Sequence, residues 1–392
     1  MLFDACARTD ATPARHDEER FAFLNRSASR YFGQVRELME DWFSHVPAEA
    51  QADLRGALRS DNRQSESAFW ELYLHEAYLR SGYSIKIHPE LPGLRTHPDF
   101  RMVRDDQAFY LEAVSVGQLP AEIAEDRRLD AVHQILASLR VENFALEVST
   151  YQVGPRPLST RDLRDVLRKW LSGLDPEQVA LEAETAIAVG FDRLPEMSWN
   201  DDGWSLIFHA LPLSEEARGK ERSALGVMGP GEATVVDNVS GIRRVLDSKH
   251  GKYGILDAPL VIAVLSNTEY PTRDYEIEQA LFGISARRPA EIAECPDSMF
   301  QEGFWLAKRG WRYSDIPQVV TAAELKPWTV TKTRLRLWQT LEPGVPLNPQ
   351  PEWLASMMIG AEALPAPASD LPQHFGLESD WPGMVEPDFD IG

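Results

Sequence analysis

The stretch that decides the fold is residues 66–117, which read ESAFWELYLHEAYLRSGYSIKIHPELPGLRTHPDFRMVRDDQAFYLEAVSVG. Around its beginning, Ser65–Ser81 is apolar at most positions and is followed by Gly82, which predicts a buried helix that ends at a glycine. Runs rich in β-branched and aromatic residues then predict three consecutive strands. These strands are Tyr83–His88, Asp99–Arg104 and Ala108–Val116.

The second and third predicted strands place two carboxylates side by side. A two-residue loop at Asp105-Asp106 is the simplest connection between them, and it fixes a register in which Asp99 lies opposite Glu112. Cross-strand partners project to one face with Cβ atoms about 4.5–5.5 Å apart, and like charges at that distance repel. The same face carries apolar residues, so the pair is partly buried and needs a cation.

A third carboxylate lies in the preceding helix. Glu71 interrupts the most apolar part of that helix, and it points towards Asp99 and Glu112 if the helix packs on the sheet beside them. Three carboxylates that converge suit a hard divalent cation such as Mg²⁺ or Mn²⁺, bound through oxygen with several retained waters. The sequence therefore predicts a metal site formed by Glu71, Asp99 and Glu112.

The order of these features resembles that of a known nuclease group, the PD-(D/E)XK superfamily. The resemblance spans little more than residues 66–117 and implies an α/β fold with a restriction-endonuclease-like αβββαβ core. It also implies that Asp99 and Glu112 are catalytic and that Glu71 joins them in binding the metal. The interval from Glu71 to Gly82 is similar to that in archaeal Holliday-junction resolvases. The motif residues here are Glu71, Gly82-Tyr83, Pro98-Asp99-Phe100 and Leu111-Glu112-Ala113-Val114.

One residue departs from the superfamily pattern. The superfamily places a lysine two residues after the Glu, where it helps to activate the attacking water, and this chain has Val114 there. Members with a relocated lysine exist, so the departure predicts a replacement elsewhere. Lys249 is the first candidate and Lys86, on the first strand, is the second.

Lys249 belongs to a predicted helix, Val239–Tyr253, that leads into an apolar strand, Pro259–Leu265. This helix and strand are candidates for the last two elements of the αβββαβ core. Lys249 and Tyr253 stand at i and i+4, and their spacing is similar to the Gln-x-x-x-Tyr element of RecB-like nucleases. The alternative for Lys249 and Lys252 is a solvated helix face.

The basic segment, residues 326–336 (KPWTVTKTRLR), contains no acidic residue. Basic charge interleaved with an aromatic ring suits a nucleic-acid backbone and base stacking. The alternative is a strand that packs between domains. The candidate nucleic-acid contacts are Lys252, Lys326, Trp328, Lys332, Arg334 and Arg336.

Composition excludes several classes of protein. With 61 acidic and 40 basic residues, the net charge is −21, which excludes a wholesale basic nucleic-acid binder but leaves room for a local basic groove. The chain has no GxGxxG, Walker A or nucleophile-elbow motif. Two cysteines cannot form a disulfide framework, and no run is apolar and long enough for a membrane helix, so we expect a cytoplasmic protein without a membrane partner.

The remaining pattern predicts a helical N-terminal segment, a nuclease-like core and a large mixed α/β insertion or second domain. The predicted parts are 1–60 (helical, broken at Pro47), 61–155 (first part of the core), 156–345 (second α/β region, of which 237–266 completes the core) and 361–392 (acidic flexible tail). The tail has an alternative interpretation, in which it docks on a partner or shields a basic groove. Further predicted elements are helices at Pro120–Leu139, Thr160–Leu171 and Tyr275–Phe282, and strands at Phe144–Val153, Ala186–Phe191, Trp204–Leu211 and Gln318–Ala323.

Together these features predict a metal-dependent nuclease of a defence or repair system, acting on DNA, with RNA not excluded. The alternative is a degenerate nuclease fold that binds nucleic acid or serves as a scaffold subunit. Loss of the motif lysine favours the alternative, whereas retention of two facing carboxylates favours the enzyme. The sequence leaves open whether the protein binds a protein partner or forms a homo-oligomer.

His88 and His97 are interpreted as loop residues that hydrogen bond to the backbone, with metal or phosphate binding as the alternative.

Overall fold

A computed structural model of the chain describes residues 1–15, 18–116, 120–186, 194–228, 238–268, 272–283, 302–340, 342–344, 347, 351, 353–358 and 370–384. These residues form ten α-helices and a central mixed sheet, which confirms the predicted mixed α/β class. The chain divides into two compact units. Unit 1 comprises Met1–Ala14, Glu18–Gly117 and Asp237–Gly392, and unit 2 comprises Arg15–Asp17 and Gln118–Val236.

Unit 1 begins with four helices: α1 (Arg20–Arg26), α2 (Arg30–His45), α3 (Ala48–Leu58) and α4 (Asn62–Arg80). The predicted break at Pro47 is confirmed, but a second break precedes α2, where Ser29 caps the helix by accepting from the Phe32 N–H. Helix α4 begins before the predicted Ser65 because the Asp61 side chain accepts a hydrogen bond from the Gln64 N–H.

Three antiparallel strands follow α4: β1 (Ser84–Ile87), β2 (Phe100–Arg104) and β3 (Gln107–Ser115). The predicted hairpin register is confirmed, because Arg104 pairs with Gln107 and Phe100 pairs with Leu111. Asp99 and Glu112 come one residue beyond this last pair, and Asp99 Oδ2 accepts the N–H of Ala113, which follows Glu112.

Unit 2 contains a four-stranded sheet in the order β6-β7-β5-β9, a two-stranded ribbon of β4 and β8, and three helices whose apolar residues cover the sheet. Its elements are α5 (Pro120–Ser138), β4 (Arg140–Val141), β5 (Phe144–Gln152), α6 (Thr160–Ser172), α7 (Pro176–Ala186), β6 (Glu196–Asp201), β7 (Trp204–Pro212), β8 (Arg222–Ser223) and β9 (Leu225–Met228). The predicted strand Ala186–Phe191 begins at the last residue of α7, and its remainder lies outside the described residues. Apart from Arg15–Asp17, this unit runs from Gln118 to Val236, whereas the sequence suggested a second α/β region from 156 to 345, of which 237–266 completes the core.

Unit 1 resumes after unit 2 and completes a seven-stranded sheet in the order β1-β2-β3-β10-β13-β14-β15. Strand β10 is parallel to both β3 and β13, and all of its residues are buried. Strand β14 is antiparallel to β13, and β15 is parallel to β14. The elements are α8 (Asn238–Lys249), β10 (Leu260–Ser266), α9 (Asp274–Phe282), β11 (Leu306–Ala307), β12 (Gly310–Trp311), β13 (Gln318–Ala323), β14 (Arg334–Gln339), β15 (Ala355–Met358) and α10 (Leu371–Phe375).

Helices α4 and α8 cover opposite faces of this sheet. Apolar residues of α4 pack in one cluster with Leu111 and Ala263, whereas those of α8 pack in another cluster with Tyr110 and Ile262. Adjacent residues of a strand point to opposite faces, so the two clusters lie on the two sides of β3 and β10. The Trp70 indole N–H also donates to the Ala263 carbonyl at 3.0 Å, which fixes α4 on the sheet.

Residues 370–384 are folded, and the expectation of a flexible tail is wrong for this segment. Phe375 and Trp381 are buried, and the Phe375 ring lies 4.9 Å from that of Trp42. Burial of these aromatic side chains supplies the apolar contact that a flexible tail lacks. Residues 361–369 and 385–392 of the predicted tail lie outside the described residues.

Within the described part of the chain, no helix is long and apolar enough to cross a membrane.

Candidate metal and catalytic site

The candidate site is centred on Glu112, a buried carboxylate in the middle of the sheet. Its side chain is on β3, between β2 and β10, and the residue is only 1% exposed. A carboxylate at such a position requires partners for both oxygens, because burial of an unpaired charge costs several kcal/mol.

Residues at and just after the end of α8 supply those partners. The Lys249 ammonium lies 2.5 Å from Glu112 Oε1, and the Lys252 ammonium lies 3.2 Å from the same oxygen. The Tyr253 hydroxyl donates to Oε2 at 2.5 Å. The prediction that Lys249 lies within reach of Glu112 is therefore confirmed.

The way in which Lys249 and Tyr253 reach Glu112 differs from the prediction. Helix α8 ends at Lys249 rather than at Tyr253, and Gly251 adopts a left-handed φ of 70° in the turn that follows. Glycine adopts this conformation without the steric penalty of a Cβ, so the chain leaves the helix there. The expected i, i+4 pairing on one helix is therefore wrong, and the turn brings Tyr253 to Glu112 instead.

Asp99 and Glu71 complete the carboxylate cluster, by which we mean Glu71, Asp99 and Glu112. Asp99 Oδ2 accepts the Ala113 N–H at 2.7 Å. Burial and the neighbouring Glu112 charge raise the pKa of Asp99 to about 7. Burial, followed by the charges of Asp99 and Glu112, raises the pKa of Glu71 to about 8, although Lys249 acts in the opposite direction. Burial is the larger cause of both raised pKa values, and repulsion between the neighbouring carboxylates adds to it.

A divalent cation would relieve this repulsion, and the cluster has oxygen donors of the type that Mg²⁺ and Mn²⁺ prefer. In the structure, both Glu112 oxygens are taken by lysine and tyrosine. Among the described residues, one group of three metal-ligating side chains has ligand atoms that all lie within 4.8 Å of one another. That group is Asp41, His45 and Glu76, not the carboxylate cluster. In that trio Glu76 already pairs with His45 at 2.8 Å and with Arg80 at 2.5 Å, so its charge is satisfied.

Lys86, the second lysine candidate, is exposed on β1 opposite Arg101. Among the contacts of the described residues, none joins its ammonium to the carboxylate cluster. The structure therefore brings Lys249 to Glu112, together with Lys252, and leaves Lys86 apart. Lys252 was predicted to contact nucleic acid, and its ion pair with Glu112 was missed because only the turn at Gly251 directs it inwards.

The basic segment does not form the continuous surface that its sequence suggests. Trp328, only 8% exposed, packs edge to face against Phe32, with 5.9 Å between ring centroids. The Lys326 ammonium lies 5.8 Å from the Trp328 ring, and burial lowers the pKa of Lys326. Trp328 therefore has no free face on which a base can stack, and that prediction is wrong.

The two arginines of the basic segment are also engaged. Both lie on β14, and Asp274 pairs with Arg334 at 3.9 Å and with Arg336 at 3.4 Å. Arg334 also donates to the Thr272 carbonyl. Lys332 is exposed, and it has no ion pair with any of the described residues. It is therefore the cation of this segment that could bind a ligand without first breaking an ion pair. The alternative of a packing strand fits β14, although the packing is within unit 1 rather than between domains.

No protein-family model matches the chain, and searches of curated proteins and of solved structures give no match. The fold of unit 1 and the geometry around Glu112 are therefore the basis for assigning a function.

Proposed function

We propose that the protein is a metal-dependent nuclease that hydrolyses phosphodiester bonds in DNA. The observation that carries the proposal is the convergence of three carboxylates and a lysine from four separate segments. Glu71 comes from α4, Asp99 precedes β2, Glu112 lies on β3 and Lys249 ends α8. A protein gains no stability from gathering undercompensated carboxylates, so their convergence favours a role in chemistry.

The topology of unit 1 supports a restriction-endonuclease-like core. The order α4, β1, β2, β3, α8 and β10 matches the αβββαβ sequence of elements, with unit 2 inserted between β3 and α8. Strand β10 pairs in parallel with β3, as a crossover through α8 requires. This arrangement places Lys249 beside Glu112 although the motif position itself holds Val114.

In this proposal each residue has a defined task. Asp99 and Glu112, with Glu71, would hold one or two Mg²⁺ ions. A bound Mg²⁺ supplies a water of lowered pKa and neutralises charge on the scissile phosphate. Lys249, held at Glu112, keeps a positive charge at the cluster and replaces the missing motif lysine. Because Glu71 and Asp99 have raised pKa values, each would release a proton as the cation binds.

A cleavage assay with plasmid DNA in Mg²⁺, Mn²⁺ or EDTA tests the proposal directly. We expect nicking or linearisation with either metal and none with EDTA. Asp99→Asn keeps an acceptor for the Ala113 N–H but removes the charge, so it should abolish cleavage while the protein stays folded. The matched control is Asp247→Asn, an exposed carboxylate on α8. Cleavage by Asp99→Asn at the wild-type rate would refute the assignment.

The lysine is tested by Lys249→Met, which keeps the apolar stem and removes the ammonium. We expect cleavage to fall by a factor of about 10² or more, the usual scale for a positioned electrostatic or acid–base group. Lys86→Met is the control, because Lys86 is exposed and away from Glu112. Equal losses in the two variants would indicate a general charge effect on DNA binding instead.

A binding-only protein with the same fold is the second candidate. The observation in its favour is that Lys249, Lys252 and Tyr253 satisfy both Glu112 oxygens without any metal. Such a protein would bind DNA equally well in EDTA and would not cut it with either metal. That pair of results would replace the nuclease assignment by the binding one.

A further inference from the structure

Two ammonium groups share one oxygen of Glu112, and the proposed nuclease chemistry gives a task to only one of them. Lys249 lies 2.5 Å from Oε1 and Lys252 lies 3.2 Å from the same oxygen, while Oε2 accepts the Tyr253 hydroxyl. A carboxylate carries a single negative charge, so one ammonium is sufficient to neutralise it. The second ammonium is in excess of the charge of Glu112 itself.

The two lysines differ in how firmly they are held. The Lys249 side chain is 17% exposed and that of Lys252 is 34% exposed, so the lysine with the longer ion pair is also the one more open to solvent. Ion pairs weaken with distance and with access to water. Lys252 is therefore the partner that Glu112 releases at the lower cost.

The backbone around Lys252 is anchored on both sides and loosely bonded between the anchors. The His250 ring packs against that of Tyr313 with 3.8 Å between centroids, and Tyr253 is only 2% exposed. Between these anchors, the Lys252 N–H donates to the Lys249 carbonyl at 3.4 Å, which is long for a backbone hydrogen bond. Lys252 can therefore leave Glu112 without displacing the residues on either side.

The ligand atoms of the carboxylate cluster are not gathered around one point while Lys252 holds Oε1. Among the described residues, the group whose ligand atoms all lie within 4.8 Å of one another is a different one. A divalent ion such as Mg²⁺ requires a closer approach, with each oxygen at about 2.1 Å. An ammonium 3.2 Å from Oε1 neutralises the charge that such an ion would meet and repels a second cation. Metal binding and the Lys252 ion pair are therefore alternatives.

We propose that Lys252 is an exchangeable counter-ion of Glu112, which neutralises this carboxylate in the metal-free protein and is released to solvent when a divalent ion binds to the carboxylate cluster. Lys249 stays in place, because its ion pair is shorter and its side chain is more buried. The inference rests on the proposed metal site and adds a regulation of that site. In the metal-free protein, the Lys252 ion pair helps to spare Glu112 the cost of a buried, uncompensated charge.

Amine-selective labelling with mass spectrometry follows each lysine separately, on the full-length protein with and without Mn²⁺. We expect saturating Mn²⁺ to raise the labelling rate of Lys252 by at least about threefold, the scale of a partly exposed ion pair. The rate of Lys249 should stay low, and that of the exposed Lys86 should not change. In Asp99→Asn, which removes a negative ligand, Mn²⁺ should change none of these rates.

Titration calorimetry with Mn²⁺ gives the second measurement. Lys252→Met keeps the apolar stem and removes the competing ammonium, so it should bind Mn²⁺ at least about tenfold more tightly than the wild type does. Adding Asp99→Asn should abolish the gain, which assigns the ion to the carboxylate cluster rather than to the other candidate trio. Lys86→Met is the matched control and should bind as the wild type does.

Unchanged labelling of Lys252 in a protein that binds Mn²⁺ would overturn the proposal, as would equal release of Lys249 or wild-type affinity in Lys252→Met. Failure of both the wild type and Lys252→Met to bind Mn²⁺ would overturn it together with the metal site. A protein that cuts DNA with Mg²⁺, loses cleavage in Asp99→Asn and yet keeps Lys252 protected would retain the nuclease assignment and lose only this exchange.

Discussion

The carboxylate cluster and the basic segment both concentrate charge of one sign, but the tertiary structure brings the carboxylates together and separates the basic residues. The carboxylates come from a helix, a strand and the residue before another strand, and they lie near enough to influence one another, since burial and the neighbouring carboxylates raise the pKa of Glu71 to about 8 and that of Asp99 to about 7. The basic residues are adjacent along the chain and are then separated: Trp328 is buried and Arg334 and Arg336 share Asp274. Convergence from separate segments is therefore the better indicator of a site than local composition.

A second contrast lies within the carboxylate cluster itself. Glu112 has three partners that donate to it, whereas Asp99 accepts one hydrogen bond, from the Ala113 N–H, among the described residues and has a raised pKa. Removal of these two carboxylates should therefore affect stability in opposite directions. We expect removal of the carboxylate to relieve repulsion at Asp99 but not at Glu112.

The largest expected effect on stability comes from Glu112→Leu. Because it leaves the partly buried Lys249 ammonium without its counter-charge, we expect the free energy of unfolding without metal to fall by about 2–4 kcal/mol. Asp99→Asn, measured beside it by urea denaturation, should leave that free energy level or raise it.

The matched control for Glu112→Leu is the double variant with Lys249→Met. Removing the unpaired ammonium should restore part of the lost stability, which a double-mutant cycle measures. Equal destabilisation by Glu112→Leu and Asp99→Asn would show that both carboxylates are structural hydrogen-bond acceptors.

The pH dependence of stability should show the undercompensated charge. Glu71 and Asp99 have folded pKa values of about 8 and 7, above the usual carboxyl values of about 4. A raised folded pKa gives stability that is fully present below the unfolded pKa and is lost as pH rises through the folded pKa. We therefore expect the metal-free protein to lose stability between pH 6.5 and 8.5, by on the order of 3 °C in Tm.

The Glu71→Gln and Asp99→Asn double variant isolates this effect, because amides do not titrate. His75, whose pKa burial lowers to about 4, loses its contribution only at lower pH and does not interfere in this window. The fall in Tm from pH 6.5 to 8.5 should be smaller in the double variant than in the wild type. An identical fall in both proteins would mean that the two carboxyls titrate normally.

The smallest expected effect comes from the basic segment. Lys332 is exposed but stands apart from the buried Trp328 and the paired arginines, so Lys332→Glu should change DNA affinity by less than about twofold. Fluorescence anisotropy over a salt series measures both the affinity and its salt slope. A decrease of about one unit in the log–log slope would show that Lys332 contacts a phosphate.

Local patterns in the sequence were sufficient for several elements of unit 1. The apolar helix, the three strands after it and the two-residue loop at Asp105-Asp106 together predicted that Asp99 and Glu112 are adjacent, and the register is confirmed up to the neighbouring pair, Phe100 with Leu111. The proximity of Lys249 followed from a predicted helix and strand that complete the sheet. These predictions succeed because strand register and helix periodicity depend on neighbours in sequence.

Other features depended on contacts between distant segments. The turn at Gly251 ends α8 early and turns Lys252 and Tyr253 inwards. The folded segment 370–384 is held by Trp42 on α2, and no local pattern identifies that partner. The packing of Trp328 against Phe32 likewise joins residues far apart in the chain.

The sequence by itself determined the mixed α/β class, the hairpin register and the pairing of Asp99 with Glu112. Only the tertiary structure decided which charges are compensated, because compensation depends on burial and on the distance to groups from other segments. Glu112 and Glu71 are the same residue type, yet one has two ammonium groups within 3.2 Å and the other has its pKa raised to about 8. The sequence determines which residues can carry a charge, and the fold determines how buried each charge is and which groups surround it.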